Sequence, residues 1–191
     1  MSIDKTFSDK IYEFVNKKLP SKAESTLFNA ILVICIDHGK ETRSTKAAIE
    51  AKGSINQRLA AGLLDQNESH GGATQLAMQI YLKEDTNIVQ EYINQGKRIP
   101  GYGHRIYKEE DPRVTILTNL CKELNYTSKY IDLAFEIEKE IKNAKGKKFP
   151  LNIDGMIGAI FLEMGFNPEQ GWGLFMVSRL PGMLSHATNP N

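Results

Sequence analysis

Apolar residues recur at three- and four-residue spacing along almost the whole chain, and no stretch of convincing length alternates apolar with polar as a half-buried strand does. That single pattern restricts the fold class to all-α. Phe7, Ile11, Phe14 and Val15 form one stripe, broken at Pro20. Ser21 and Glu24 have the spacing of a capping box and open a helix whose apolar face reads Leu27, Ile31, Ile34, Cys35 and His38, with its end expected at Gly39. Ala60, Ala61 and Gly62 mark a tightly packed helix between Ile55 and Leu64, and helical spacing resumes at Ala73 after a polar break. Thr86 offers a cap for a helix stopping at Gly96.

Asp111-Pro112 pairs an N-cap acid with proline at the first helical position and leads into Val114, Leu117, Cys121 and Leu124. Ser128 opens an amphipathic helix ending near Gly146. Asn152 and Asp154 head one lined by Ile153, Ile157, Ile160 and Phe161, and Asn167-Pro168 starts the last, which carries Arg179 and is expected to end or kink at Pro181.

The length of 191 residues suits one domain or two small lobes, with a core that needs no disulfide. A balance of 24 Lys+Arg against 23 Asp+Glu gives a net charge of +1, which argues against a nucleic-acid-coating surface. No apolar run approaches the length of a membrane span, and no signal-peptide core follows Met1, so a cytoplasmic protein with no membrane partner is expected. Cys35 and Cys121 sit in apolar helical patterns, consistent with a reducing compartment.

Three of the four histidines, His38, His70 and His104, adjoin glycine at a helix end or in a loop, where a ligand can approach bare backbone. Singly, each also suits a capping or surface role, and His38 a core position. No two stand at a helical zinc spacing and no cysteine joins them, so no metal is expected; no G-x-S-x-G elbow supports a serine hydrolase. The densest polar loop runs from Lys97 to Glu110. With Asp111-Pro112-Arg113 it offers an imidazole, His104, and two guanidiniums, Arg105 and Arg113, beside a helix N-terminus, which suits a di- or tricarboxylate.

Pro100-Gly101-Tyr102-Gly103-His104, then six residues, then Asp111-Pro112-Arg113 resembles the signature of citrate synthases with identical spacing. Asp37-His38-Gly39, His70-Gly71-Gly72 and Leu151-Asn152-Ile153-Asp154-Gly155 agree in order, over about Ser21 to His186. The wording of the last piece, and of Ile131 to Glu138, is similar to citryl-CoA lyases and to the corresponding module of ATP-citrate lyase. The resemblance implies a two-lobed helical fold shortened at both ends, with 1–71 and 166–191 forming a reduced, dimerising large lobe and 72–165 a small lobe. It implies Asp154 as the base at the acetyl methyl group, His70 as the donor to the thioester oxygen, and His104 at the keto or hydroxyl oxygen. His38, Arg113 and Arg179 would bind carboxylates. Pro100, Gly101, Tyr102 and Gly103 would lie against the adenine of coenzyme A, with Lys108 near its phosphates; Lys147 and Lys148 suit either an assisting role or a solvated turn.

The expected activity is citryl-CoA lyase-like, cleaving citryl-CoA to acetyl-CoA and oxaloacetate. The alternatives are a citrate or 2-methylcitrate synthase using the same residues in reverse, or a non-catalytic CoA-binding paralogue or partner subunit. Expected partners are an acyl-CoA, a citrate- or oxaloacetate-type carboxylate, and a second copy of the chain in a homodimer or higher homo-oligomer, with room for a larger partner subunit.

Overall fold

The computed structural model describes residues 4–67 and 72–189. The described residues form α1 (Phe7–Asn16), α2 (Lys22–Ile34), α3 (Arg43–Glu50), α4 (Ile55–Asp65), α5 (Ala73–Tyr81), α6 (Ile88–Asn94), α7 (Pro112–Glu123), α8 (Lys129–Lys145), α9 (Ile153–Glu163) and α10 (Pro168–Thr188). The all-α reading holds, and an isolated antiparallel bridge joins Tyr102 to Leu151. None of the described helices is long and apolar enough to cross a membrane.

Start signals written in the sequence are realised as hydrogen bonds. Ser21 and Glu24 cap each other's backbone at α2, Ser128 accepts from the amides of Tyr130 and Ile131 at α8, and Asn167 and Gln170 form a capping box at α10. Such caps satisfy amides that would otherwise be orphaned in the first turn.

Helix α9 is the hub. Ile153, Met156, Ile157, Ile160 and Phe161 are all buried, and α5, α7, α8 and α10 pack around it. A helix apolar on every side has no solvent face, so it must sit at the centre. Tyr12 and Phe28 join it through an aromatic cluster with Phe161 and Phe166; the Tyr12 and Phe166 rings meet edge-on at 5.0 Å. The core therefore runs without a break from α1 and α2 into α7 and α9.

Two contacts need glycine. A Cβ on Gly62 would lie 2.8 Å from the Ser44 carbonyl and 3.0 Å from Ala48 Cβ, so α4 can approach α3 only without one. A Cβ on Gly155 would lie 2.6 Å from the Gly101 carbonyl and 2.9 Å from the Tyr81 hydroxyl, and Gly101 itself has φ +87. Gly155→Ala is therefore expected to cost about 1–3 kcal/mol, because the Gly101 backbone and the buried Leu151 and Tyr81 side chains must shift; a melting curve indistinguishable from wild type contradicts this packing.

Several expectations need correction. Helix α2 stops at Ile34, short of Gly39, because the Asp37 carboxylate accepts the amides of His38 and Gly39 and diverts the backbone from the helical ladder. His38 is consequently exposed in a loop and does not lie on an apolar helical stripe. Helix α4 buries only Gly62, leaving Ala60 exposed. Helix α6 begins after Asn87, one residue beyond the expected cap. Helix α10 continues through Pro181 to Thr188; the next amide, Gly182, donates across to the Ile36 carbonyl at 3.2 Å.

Candidate active site

The site is assembled where the loop after α6 meets the start of α9. Asn152, the N-cap of α9, accepts from the Gly155 amide, donates its own amide to the Gly101 carbonyl at 2.9 Å, and reaches the Gly103 carbonyl with its side chain at 2.9 Å. One residue thus fixes both the glycine loop and the first turn of α9. Asp154, in that turn, has its carboxylate Oδ1 accepting from the Thr74 hydroxyl at 3.1 Å. Burial pushes its pKa above the ordinary carboxylate value, while the Thr74 hydrogen bond and the charges of Arg179 and Arg113 pull the other way without cancelling the rise.

Asp111 is fully buried and does more than cap α7. Its carboxylate accepts a two-pronged contact from Arg113, Nε at 2.9 Å and a terminal nitrogen at 2.8 Å, together with the amides of Arg113 and Ile153, each at 3.1 Å. Burial opposes its ionisation, but these four donors and the guanidinium charge outweigh burial and hold its pKa low.

His104 is contacted at both ring nitrogens. Its Nδ1 accepts the amides of Ile106 and Tyr107, each at 3.2 Å, and these two donors favour the neutral tautomer with its proton on Nε2. The ring stacks on Tyr107 with centroids 4.7 Å apart, and Nε2 lies 3.4 Å from Arg113. Burial first, and then the Arg113 charge, lower its pKa, so it stays a neutral donor near pH 7.

Arg179 is 6 % exposed, lies over the Phe175 ring, and donates to the Asp37 carbonyl at 2.6 Å. Burial lowers its pKa. From the same helix, Gly182 reaches Ile36 and His186 Nε2 lies 3.0 Å from Asp37 Oδ1, so α10 grips the His38 loop at three points.

A cavity of about 180 Å³ collects His38, His104, Arg113, Asp154 and Arg179 on one wall system, together with Ser44, Gln66 and Phe175. A second, larger groove of about 650 Å³ shares His104 as a lining residue. Its cations are Arg98, Arg105, Lys108, Lys145, Lys147 and Lys148; Ile99, Tyr102, Phe149 and Pro150 supply apolar surface, and no acid among the described residues lines it. Lys145 and Lys147 stand about 5 Å over the Phe149 ring, and Lys108 donates to the His104 carbonyl at 3.1 Å. Such a surface suits a phosphorylated ligand with an aromatic ring.

Five of the expected residues thus meet in one cavity. Arg105 does not join them: it is exposed and lines the groove, whereas Arg113 lines the cavity. Pro100 and Gly101 lie off the groove, Gly101 being turned against Gly155 and Ala77, whereas Tyr102, Gly103 and Lys108 do line it. Tyr102 is anchored by its hydroxyl, which donates to the Ala134 carbonyl at 2.9 Å. His70 falls outside the described residues. The sequence does not single out Thr74, Ser44 or Gln66, none of which carries a local signal beyond its own polarity, and it marks Asp111 as a helix cap and a member of the motif ending at Arg113 but not as a partner of the Ile153 amide.

Residues 2–190 match the family model described as "Citrate synthase, C-terminal domain". The chain belongs to the citrate synthase family. Among solved structures, citryl-CoA lyase from Hydrogenobacter thermophilus superposes with a TM-score of 0.90 at 36% identity, covering 98% of this chain and 77% of that one. A citrate synthase from Saccharolobus solfataricus is 31% identical over 182 residues, 87% of this chain and 48% of the relative. A complex of citrate synthase from Thermoplasma acidophilum with carboxymethyl coenzyme A and oxaloacetate shares the fold, with a TM-score of 0.78 at 24% identity, covering 97% of this chain and 53% of that one. The chain spans about half the length of the curated citrate synthases it matches.

Proposed function

We propose that the protein makes or breaks the carbon-carbon bond between an acetyl thioester and a keto-dicarboxylate, acting as a citryl-CoA lyase. The observation that carries this reading is the meeting of Asp154, the Nε2–H of His104, Arg113 and Arg179 around one small cavity beside a cation-lined groove. The likeness to the Hydrogenobacter thermophilus lyase favours cleavage over synthesis.

In the cleavage direction, the citryl carboxylates lie against Arg113 and Arg179, with His38 at the rim. The tertiary hydroxyl releases its proton to solvent water and its oxygen becomes the keto group of oxaloacetate, with the His104 Nε2–H stabilising the charge that develops there, and solvent returns a proton to Asp154 after turnover so that the cycle is proton-neutral. The bond to the thioester methylene breaks, its electrons pass to the thioester oxygen as an enolate, and protonated Asp154 delivers a proton to the methylene carbon to give the acetyl methyl group. A pKa raised by burial suits this role, because it keeps a larger fraction of the acid protonated. In synthesis, the same carboxylate would remove the methyl proton. His70 is the proposed donor to the thioester oxygen.

Coenzyme A would occupy the groove, with its adenine on the Phe149 side and its phosphates among Arg98, Arg105, Lys108 and the 145–148 lysines. The groove and cavity meet at His104, which lines both and so places a thioester next to Asp154. The two-lobe division, 1–71 with 166–191 against 72–165, belongs to this reading: His38, Gln66 and Arg179 from one part and His104, Arg113 and Asp154 from the other line the same cavity. Homodimerisation belongs to it too, Leu64 on α4 and Val177 and Leu184 on α10 being exposed apolar residues.

Purified protein incubated with citryl-CoA is expected to release acetyl-CoA and oxaloacetate, followed by coupled reduction of the oxaloacetate. Thiol release from acetyl-CoA plus oxaloacetate, without cleavage of citryl-CoA, favours a synthase instead. Neither product from either assay, with coenzyme A still bound, selects the non-catalytic paralogue.

A further inference from the structure

The chemistry above gives no task to two polar side chains of the cavity wall, Ser44 and Gln66, and the second has an unpaired atom. Gln66, at the C-cap of α4, is 7 % exposed and lines the cavity together with His104, Arg113 and Asp154. Its amide oxygen Oε1 is buried and accepts no hydrogen bond among the described residues. A buried amide carbonyl with no donor has lost its water without compensation, which destabilises the empty site. Such a group signals a hydrogen that arrives with a ligand.

The polar groups around it narrow what that ligand brings. Arg113, Arg179 and the Nε2–H of His104 are donors, matched to the oxygens of carboxylates and carbonyls. Asp154 is the one carboxyl group among the described residues that line the cavity and stands against Thr74, on the proton-transfer side. An ionised keto-dicarboxylate carries acceptors only, so it satisfies the donors and leaves Oε1 orphaned. A hydroxy-tricarboxylate carries the same carboxylates plus one hydroxyl hydrogen.

Resting on the lyase reading, we infer that Gln66 Oε1 accepts the hydrogen bond of the substrate's tertiary hydroxyl, while His104 donates to that hydroxyl's oxygen. Gln66 is then a specificity-determining residue that separates hydroxylated carboxylates from their keto and deoxy analogues. A site built around a hydroxyl rejects the analogue lacking it, because the buried partner is left unpaired.

The test deletes the hydroxyl and its acceptor independently. Citrate and tricarballylate, which differ only in that hydroxyl, are compared as competitive inhibitors of citryl-CoA cleavage by the wild type and by Gln66→Met, an unbranched side chain of similar volume; Gln66→Leu serves as a second variant. The wild type is expected to favour citrate by about tenfold. Gln66→Met is expected to hold the two inhibitors within about threefold, through weaker citrate and unchanged tricarballylate inhibition, and to melt no lower than wild type because it removes an unsatisfied buried acceptor. Equal potency or equal impotence of the two inhibitors on the wild type overturns the Gln66 assignment alone, as does a citrate preference that survives in a folded variant. Absence of citryl-CoA cleavage by the wild type overturns both this assignment and the lyase reading.

Discussion

Asp154→Asn is expected to lower turnover of citryl-CoA by about 10²–10⁴-fold, the range spanned by a positioned acid or base, and at the same time to raise the melting temperature at neutral pH. The first effect follows from the proton that must reach the thioester methylene, which an amide cannot supply. The second follows from burial. Asp154 has a folded pKa above its unfolded value, so the cost to folding grows as pH rises from the unfolded towards the folded value, is full above the folded value, and is gone below the unfolded one. The stability advantage of the Asn variant should therefore be largest at neutral and alkaline pH and shrink on acidification. Calorimetry across that range, alongside the cleavage assay, checks both halves. A variant with unchanged turnover, or one whose stability advantage grows as pH falls, contradicts the assigned role.

Asp111→Ala is expected to be the most destabilising single change around the site. It leaves Arg113 without its buried partner and orphans the Ile153 amide at the head of α9. Breaking a buried pair by removing one member costs about 3–5 kcal/mol, and at about 2–4 °C per kcal/mol for a chain of this size the melting temperature should fall by about 6–20 °C. The pairing itself is isolated by repeating the change in an Arg113→Met background, where the stranded charge is gone and the loss should be smaller. Equal losses in both backgrounds would show that the Ile153 amide, rather than Arg113, sets the cost.

The sequence made the helices legible wherever a cap residue stood at the right spacing before an apolar stripe. Ser21 with Glu24, Asp111 with Pro112, and Asn167 with Pro168 each start a helix. The short α3 was missed because Arg43–Glu50 carries only small or polar residues apart from Ile49 and leans on α4 and α10 for its burial. The end of α2 was misplaced because Asp37 competes for the backbone, a choice made by side-chain geometry rather than hydrophobic spacing. At the site, residues adjoining glycine and arginine were visible as chemistry in the chain, and their convergence followed from a resemblance covering most of it. What remained hidden were partners fixed by tertiary contact: Asp111 reaching the Ile153 amide, Thr74 on Asp154, and Gln66 at the cavity wall. A lone glutamine near the end of a helix has no pattern in one dimension.

The three-point grip of α10 on the loop that carries His38 also limits how this helix can vary. Arg179, Gly182 and His186 meet Ile36 and Asp37 along a single stripe about 10 Å long, at about 1.5 Å of rise per residue. Inserting or deleting one residue within that stripe rotates everything beyond it by about 100°, so the distal anchors swing off the loop together. The surface of α10 is free to diverge in composition, whereas its register between 179 and 186 acts as a fixed gauge for where the neighbouring imidazole stands.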